Sequence, residues 1–399
     1  MAPVRVLGAR IPPPHRTPTD SCAQACYALG TMRRQITKLL VVAAGLATLS
    51  GCLFSVNEPL VTPGGAIALF LNESGGYSLF PESATLHLRR EGSWMPIPSA
   101  TISDGGGPLG LSPDGRELLY VDVESVDIFS PFTSTIRRVG VQTDSLPTAI
   151  LETQEAVARA VWTERLGILV QLFGQGDFAT LHAFDPDTGE IERLADNLLS
   201  FAYLRETDEI ILLQAIDEAG VPLAEIVRWD TTTDARTSLA AFVLNEATWE
   251  TFATLPHRFF WAVSPNGQWL ALSVFDATFL VPEGQSDIPS LYLIDLAGDE
   301  TRRLSAQALM PAFSPDGQGL LYVQAADVDR GDLMYLCLQA DCRPVAVPGG
   351  EGVSAAFWLS PTTIAAAFET ENDLHRLVEL DLENGRQQVL VDGLSDSSD

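Results

Sequence analysis

The chain has 399 residues, of which 46% are hydrophobic and 19% charged, a composition typical of a folded globular protein and not of a disordered one. Its 52 acidic residues outnumber the 24 basic ones, which gives a formal net charge of −28. Such a surface repels nucleic acid, because phosphate binding draws its affinity from Lys and Arg, so we expect no nucleic-acid partner. Lys38 is the only lysine, and it lies in a segment that is predicted to be a cleaved signal peptide. This position excludes enzyme classes that need a Schiff-base or phosphate-binding lysine.

Two segments precede the predicted folded part. Residues 1–31 show no hydrophobic periodicity, and we expect them to be disordered or to lie before the true start of translation at Met32. Residues 32–51 combine a basic start with an uncharged apolar run, 39–49, and small residues at the end. The run is too short for a bilayer, which needs roughly 20 apolar residues, so residues 32–51 are predicted to be a signal peptide.

The signal peptide ends in Leu49-Ser50-Gly51-Cys52, which resembles the lipobox of bacterial lipoproteins. The resemblance implies that Cys52 carries a lipid and becomes the first residue of the mature protein; the alternative is an ordinary signal peptide with a chance cysteine. We therefore expect export and a lipid anchor in the membrane of the cell envelope, on its periplasmic or outer side, with residues 52–63 as a tether. The mature part keeps 18 basic and 51 acidic residues, a net charge of −33.

One short phrase recurs three times. An apolar residue is followed by Ser-Pro-Asp-Gly or Ser-Pro-Asn-Gly and then by an apolar run typical of a strand, at 111–115, 263–267 and 313–317. Pro presets φ, Asp or Asn bonds its own backbone, and Gly adopts a positive φ. Each copy therefore predicts a tight turn between two strands, with its Asp or Asn forming the turn and not binding a ligand.

A second phrase, an apolar strand ending in Asp before another turn, recurs downstream. Its aspartates are Asp185, Asp230, Asp295 and Asp381, and Cys337 takes this position in one module. The unit is thus four short strands, which we call a to d, with tight turns between a and b and between c and d.

Weaker copies of these phrases complete seven modules over residues 64–392, about 47 residues each, followed by an acidic tail at 393–399. Radially repeated four-stranded units predict an all-β chain folded as a β-propeller of seven blades, with six or eight as alternatives. The Ser-Pro-Asp-Gly phrase with its following strand resembles the WD40-like repeat of the TolB-type propeller family. The resemblance implies the fold of periplasmic propellers and of the N-terminal propellers of prolyl-oligopeptidase-type peptidases.

Cys337 and Cys342 flank one of the predicted c–d turns. In an oxidising compartment they can form a disulfide if their Cα atoms lie within about 7 Å of each other. A redox pair or a metal pair is the less favoured alternative. CxxxxC alone is a weak metal signal.

The a–b and c–d turns emerge on one face of the predicted disc, and the longer b–c and d–a connections emerge on the other. The longer connections include 140–158, 241–258, 275–289 and 324–332. Binding residues concentrate on loops held by a rigid scaffold, so we expect the partner-binding face on this second side. Its candidate contact residues are Trp249, Phe252, His257, Phe275, Phe279 and Arg330. The alternative is that several of these side chains plug the central channel or cover the last strands.

Catalytic motifs are absent from the sequence. The mature histidines, His87, His182, His257 and His375, are dispersed, and no HExxH or Gly-x-Ser-x-Gly pattern occurs. We therefore expect no catalytic residue, no cofactor and no metal, and predict a non-catalytic module that binds a protein, peptide or glycan partner in the envelope. The alternatives are a propeller-type lyase or glycosidase with its site at the central channel, and an assembly subunit of a larger envelope complex.

Overall fold

The computed structural model describes residues 57–392 apart from 63–64, 74, 80–82, 91, 104–105, 125–132, 142–145, 174–177, 219–220, 244–259, 275–288, 298–299, 326–330, 340–341 and 371–373. The regular elements of the described part are β-strands. No helix in these residues is long and apolar enough to cross a membrane. The predicted signal peptide, Cys52 and the acidic tail lie outside the described residues.

The strands follow one another in antiparallel sheets. In the first half of the chain they are β1 (Leu60–Val61), β2 (Ile67–Leu71), β3 (Ala84–Arg90), β4 (Ser93–Ile102), β5 (Gly106–Leu111), β6 (Glu117–Glu124), β7 (Thr133–Gly140), β8 (Thr148–Thr153), β9 (Ala156–Trp162), β10 (Ile168–Phe173), β11 (Ala179–Phe184), β12 (Ile191–Leu204), β13 (Glu209–Glu218), β14 (Val221–Asp230) and β15 (Ala235–Val243). In the second half they are β16 (Trp261–Val263), β17 (Trp269–Val274), β18 (Ser290–Asp295), β19 (Thr301–Ser305), β20 (Ala308–Phe313), β21 (Gly319–Ala325), β22 (Gly331–Cys337), β23 (Val345–Ala346), β24 (Ala355–Trp358), β25 (Thr363–Glu369), β26 (His375–Asp381) and β27 (Gln387–Val391).

Five sheets of the described part have four consecutive strands each, and one sheet has seven strands, β9 to β15. In the seven-stranded sheet the long strand β12 pairs with β11 through its first half and with β13 through its second half. At the join, Asn197 has a φ of 50° and the register shifts between Leu198 and Ser200. Strand β12 is thus strand d of one unit and strand a of the next, which groups the described strands into four-stranded units 1 to 7.

Burial explains why the strands of a unit differ in composition. Strand b lies between neighbouring units on both faces, so β2 reads Ile-Ala-Leu-Phe-Leu and every residue is buried. Strand d forms the outer edge of each unit. In β27, for example, the first three of the five residues are exposed and the last two are buried. Apolar runs therefore mark the inner strands, and polar runs mark the outer ones.

Apolar clusters join each unit to the next and close the ring. The cluster between units 7 and 1 packs Ile67 and Leu69 of β2 with Phe357 of β24. At the same junction the indole Nε1 of Trp94 donates to the carbonyl of Leu390 at 3.0 Å. In the described residues each unit uses consecutive strands, so no strand is exchanged between the two ends. Side-chain packing closes the ring together with a backbone bridge, in which the amide of His375 donates to the carbonyl of Tyr77 at 2.8 Å.

Two sequence expectations change at this level. Strand β1 pairs with β2 and so supplies the first strand of the opening unit, inside the stretch expected to be tether. The long irregular connection expected at 140–158 is wrong, because β8 and the start of β9 occupy 148–158. Its Thr, Leu and Val residues form strands because they pair with β7 and β10.

Candidate functional site

The three Ser-Pro-Asp/Asn-Gly turns have the same hydrogen bonds. In the third, the amide of Gly317 donates to the carbonyl of Ser314 at 2.8 Å, and the amide of Gly319 donates to Ser314 Oγ at 2.8 Å. Ser314 Oγ in turn donates to Asp316 Oδ1 at 2.5 Å. Gly317 has a φ of 68°, a conformation that glycine adopts without strain.

These turn bonds determine the ionisation of the aspartates. The Ser112 hydroxyl and the Arg116 amide lower the pKa of Asp114 below its ordinary value. The Ser314 hydroxyl and the Gln318 amide do the same for the pKa of Asp316. Asn266 Oδ1 accepts the equivalent bonds without a charge, from the Ser264 hydroxyl at 2.7 Å and from the Gln268 amide at 3.1 Å. The geometry of these residues is that of turn formation.

The c–d turns also use a carboxylate to bind backbone amides. Asp185 Oδ1 accepts from the amide of Asp187 at 2.8 Å, and Asp381 Oδ1 accepts from that of Glu383 at 2.9 Å. In unit 6 the structure joins Cys337 and Cys342 by a disulfide, with their Cα atoms 5.7 Å apart. This distance lies within the range that a disulfide spans.

The direction of the strands gives the ring two different faces. We call the side with the a–b and c–d turns the turn face, and the side with the b–c and d–a connections the loop face. The six candidate contact residues expected on the loop face, Trp249, Phe252, His257, Phe275, Phe279 and Arg330, lie outside the described residues. The loop-face site therefore stays a prediction.

The described structure contains a cavity of about 510 Å³ in the central channel. Its walls come from the a strands of units 3 to 7, with Glu58 from the segment before β1. The exposed residues that line it, Arg205, Glu206 and Pro315, all belong to a–b turns. The cavity therefore opens on the turn face, opposite to the face where the sequence predicts the site.

Five aromatic residues line the cavity, and hydrogen bonds hold two of them. Trp261 is buried, and its Nε1 donates to Ser200 Oγ at 2.6 Å. Trp358 is half-buried, and its Nε1 donates to the carbonyl of Ala312 at 3.0 Å. Its indole also meets Tyr335 edge-on, with ring centroids 6.4 Å apart. These indole rings are fixed before any ligand arrives.

Polar groups are few in the cavity and are tied to the backbone. Arg159 Nη1 donates to the carbonyl of Phe201, and its guanidinium carbon lies 5.1 Å from the centroid of the Phe201 ring. Arg205 Nη2 donates to the carbonyl of Pro113 at 2.6 Å. Burial raises the pKa of Tyr203 to about 12, so this phenol stays protonated, and it donates to Asp208 Oδ1 at 2.8 Å. The cavity offers a cationic group and a hydroxyl within an apolar surface.

One wall residue has a backbone conformation that side chains rarely adopt. Met310 has a φ of 55°, and the register between β20 and β21 shifts between Leu309 and Ala312. Pro311 follows Met310 and lacks the amide that a regular ladder would use. The resulting bulge is one of several in the a strands, because β5, β9 and β12 also shift register.

The described histidines do not line the cavity. His87, His182 and His375 lie on β3, β11 and β26, the c strands of units 1, 3 and 7. Burial lowers the pKa of His182, whose Nε2 lies 2.9 Å from Thr180 Oγ1. Within the described part of the chain no group of three or more His, Cys, Asp or Glu side chains is arranged to hold a metal ion.

Sequence reasoning missed the cavity, although its residues carry a signal. Phe201-Ala202-Tyr203, Trp261-Ala262-Val263 and Ala356-Phe357-Trp358 each end an a strand just before an a–b turn. Aromatic residues at this repeated position converge on the channel because every a strand is the innermost of its unit. The sequence repeat is visible, but the convergence depends on the closed ring.

No protein-family model matches the chain, and no curated protein matches it. Among solved structures it is similar to the β-propeller domain of the Trilobed protease from Pyrococcus furiosus, with 14% identity over 86% of this chain and 98% of that one and a TM-score of 0.54. A puromycin hydrolase is 16% identical over 89% of this chain and 55% of its own, with a TM-score of 0.55. TolB from Acinetobacter baumannii is 12% identical over 81% of this chain and 79% of its own, with a TM-score of 0.44.

The likenesses to the Trilobed protease propeller and to the puromycin hydrolase, both above a TM-score of 0.5, agree with the ring of antiparallel sheets. The chain is a β-propeller. The all-β propeller prediction is thereby confirmed, while membership of the TolB-type family stays a prediction. The propeller spans about half of the puromycin hydrolase chain, and identities of this size show the fold alone.

Proposed function

We propose that this chain is an envelope-anchored lipoprotein whose β-propeller binds a protein, peptide or glycan partner without catalysing a reaction on it. The observation that carries the proposal is the cavity of about 510 Å³ in the central channel. Its size lies within the range of ligand pockets, roughly 300–1,000 Å³, and such pockets are apolar with a few placed polar groups. The binding site is therefore the mouth of the cavity on the turn face.

The wall chemistry supports binding by an apolar side chain or by the apolar face of a sugar. Trp358 and Tyr203 are half-buried at the wall, so each ring keeps accessible surface for stacking. Arg159 and Arg205 supply cationic groups beside this surface. Rings that are already held by hydrogen bonds lose little freedom on binding, which favours affinity.

The chemistry of the wall gives no support to the alternative of a lyase or glycosidase at the channel. The described residues that line the cavity include two carboxylates, Glu58 and Glu206, and no histidine. The described wall therefore lacks the histidine that a lyase site of this kind would use. Its two carboxylates come from different places, Glu58 from the segment before β1 and Glu206 from an exposed a–b turn, whereas a glycosidase uses a pair of carboxylates that flank the scissile bond. The lipid anchor in the proposal rests on the Leu49-Ser50-Gly51-Cys52 sequence.

Photo-crosslinking in intact cells tests the proposed site. The mature chain has no lysine for amine-reactive reagents, so a photoreactive phenylalanine analogue is placed at Ala202, which lies half-buried on the cavity wall. The matched control places it at Ala235, exposed on the outermost strand of the same unit. We expect one dominant adduct from Ala202 that is absent from Ala235, and mass spectrometry then identifies it as protein, peptide or glycan.

Two outcomes would overturn the proposal. Identical adducts from both positions would indicate collision with abundant neighbours. No adduct from Ala202 at normal protein level, with adducts from Ala235, would place binding on the outer edge. A Trp358→Ala variant adds an internal check, since loss of its stacking surface should reduce the Ala202 adduct while leaving the melting curve cooperative.

A further inference from the structure

The start of the folded chain is fixed by Asn57. Its side chain is fully buried, accepts from the amide of Phe70 at 3.0 Å and donates to the carbonyls of Phe70 at 2.8 Å and Ser78 at 2.9 Å. The Asn57 amide donates to the carbonyl of Leu79 at 2.9 Å, and the Tyr77 hydroxyl donates to the carbonyl of Asn57 at 2.5 Å. Asn57 is therefore a rigid point of the propeller.

Asn57 lies on the loop-face side of the ring and close to its axis. Ser78 and Leu79 belong to the b–c connection of unit 1, which emerges on the loop face. Strand β1 is the innermost strand of its unit and runs from the loop face toward the turn face. The described chain consequently begins on the loop-face side.

The distance from this point to the lipid is short. Cys52 and Asn57 are five residues apart, and a fully extended chain covers at most about 3.6 Å per residue, so their separation is at most about 18 Å. For the turn face to meet the membrane, the tether would have to cross three strand spacings of about 4.8 Å and a strand length of about 20 Å, roughly 35 Å in all. The tether cannot follow that path, and its reach of about 18 Å is also less than the strand length of about 20 Å that a direct route along the central channel would have to cross.

We infer that the loop face lies against the membrane surface and that the mouth of the central cavity points away from it. This orientation rests on the proposed lipid anchor at Cys52. It makes the lipid surface the neighbour of the loop face, and it directs the cavity toward the aqueous compartment. A partner of the cavity is then a soluble molecule or the exposed part of another envelope protein, and not a lipid.

The orientation is measured with the lipidated protein, residues 52–399, in phosphatidylcholine vesicles that contain a lipid with a nitroxide headgroup. A fluorophore is attached to Gln154→Cys on the loop face or to Gln318→Cys on the turn face, both exposed glutamines in turns. A second pair repeats the comparison elsewhere on the ring. Ala306→Cys lies on the loop face, in the connection between units 5 and 6, and Gln268→Cys lies on the turn face, in the a–b turn of unit 5. Cys52 is acylated and Cys337 and Cys342 form a disulfide, so these cysteines do not compete with the introduced thiol for the fluorophore.

We expect the nitroxide to quench both loop-face labels several-fold more strongly than both turn-face labels. Three results would overturn the orientation: equal quenching of the two labels within each pair, stronger quenching of the turn-face labels, and a difference in one pair only. The last result would indicate a disc that lies edge-on to the membrane. A linker of 20 Gly and Ser residues inserted after Phe54 adds about 25 Å of average reach and should abolish the difference.

The anchor and the orientation can fail separately in this experiment. If the unlabelled protein does not float with the vesicles, or floats equally well as Cys52→Ala, the lipid anchor is wrong and the orientation falls with it. If the protein floats and the labels respond otherwise than expected, the orientation alone is wrong. Loss of the Ala202 crosslink, in contrast, bears on the cavity and not on the membrane.

Discussion

At the scale of single residues, the a–b turns were predictable because their hydrogen bonds are local. Ser264, Asn266 and Gly267 lie within four positions of one another, and the bonds that shape the turn stay within the six residues 264–269; the carbonyl of Gly267 in addition accepts from Arg228 Nη2 at 2.7 Å. A sequence phrase therefore contains the whole structure of the turn. The aspartates at this position form the turn, as expected. Their carboxylate oxygen Oδ1 accepts hydrogen bonds from a hydroxyl and from an amide of the turn itself.

The Asp316→Asn substitution is expected to remove a pH-dependent part of the stability. Hydrogen bonds in the folded state lower the pKa of Asp316 from 3.8, so the ionised form is stabilised above that pH and the contribution is lost as the pH falls through the lowered pKa. Asn keeps the acceptor but not the charge, so the difference in unfolding free energy between wild type and variant should narrow between about pH 6 and about pH 2.

Urea denaturation at several pH values measures this difference. The reverse change, Asn266→Asp, is a matched control in the sister turn, and it should add a pH-dependent stabilisation of the same sign as the one that Asp316→Asn removes. A difference between wild type and Asp316→Asn that stays constant with pH would contradict the prediction.

At the scale of elements, the strands were predictable from alternating apolar runs and turns, but their continuity was not. Strand β12 serves two units because Asn197 adopts a φ of 50° where a d–a connection was expected. The connection at 140–158 was misjudged because β8 is an outer strand, where polar residues such as Thr148 and Glu152 are exposed and weaken the strand pattern.

The c–d turn of unit 6 is closed by a different bond from the c–d turns of the other units. In unit 5, Asp295 Oδ1 accepts from the amide of Ala297 at 2.9 Å. The strand pairing puts Cys337 opposite Gly319, the position that Asp295 takes opposite Trp269. A covalent bond to Cys342 thus closes the turn where the other units use a carboxylate.

Cys337→Ser combined with Cys342→Ser is expected to lower the unfolding free energy by about 2 kcal/mol, since the short closed loop no longer restricts the unfolded chain. Cys337→Asp combined with Cys342→Ser should recover part of this loss, because Asp can bind the turn amides as Asp295 does. Denaturation curves of both variants and of the wild type with reductant test the prediction. It is wrong if the Asp variant is no more stable than the Ser variant.

At the scale of the whole molecule, the sequence predicts a ring but not what the ring encloses. Each repeat specifies its own turns and its own buried strand, so the radial arrangement follows from local patterns. The central cavity depends on side chains from Arg159 to Trp358, which are brought together when unit 7 packs on unit 1. No segment shorter than the whole propeller contains this information.

The net charge of −33 on residues 52–399 is also a property of the whole molecule. Mutual repulsion of acidic groups destabilises a compact state, and salt screens this repulsion as the Debye length falls from about 30 Å at 0.01 M to about 10 Å at 0.1 M. The melting temperature in nonionic detergent should therefore rise with sodium chloride over this range. The rise should be smaller near pH 4, where more carboxylates are protonated.

Matched salts separate screening from specific binding of cations. Sodium chloride and tetramethylammonium chloride at equal ionic strength should give equal shifts, because screening depends on charge and concentration and not on the identity of a monovalent ion. Calcium chloride at the same ionic strength should add little if the acidic residues act as a diffuse charge, since no group of three or more potential ligands occurs among the described residues. A melting temperature that stays constant with sodium chloride would show that the acidic groups are too widely spaced to repel one another measurably.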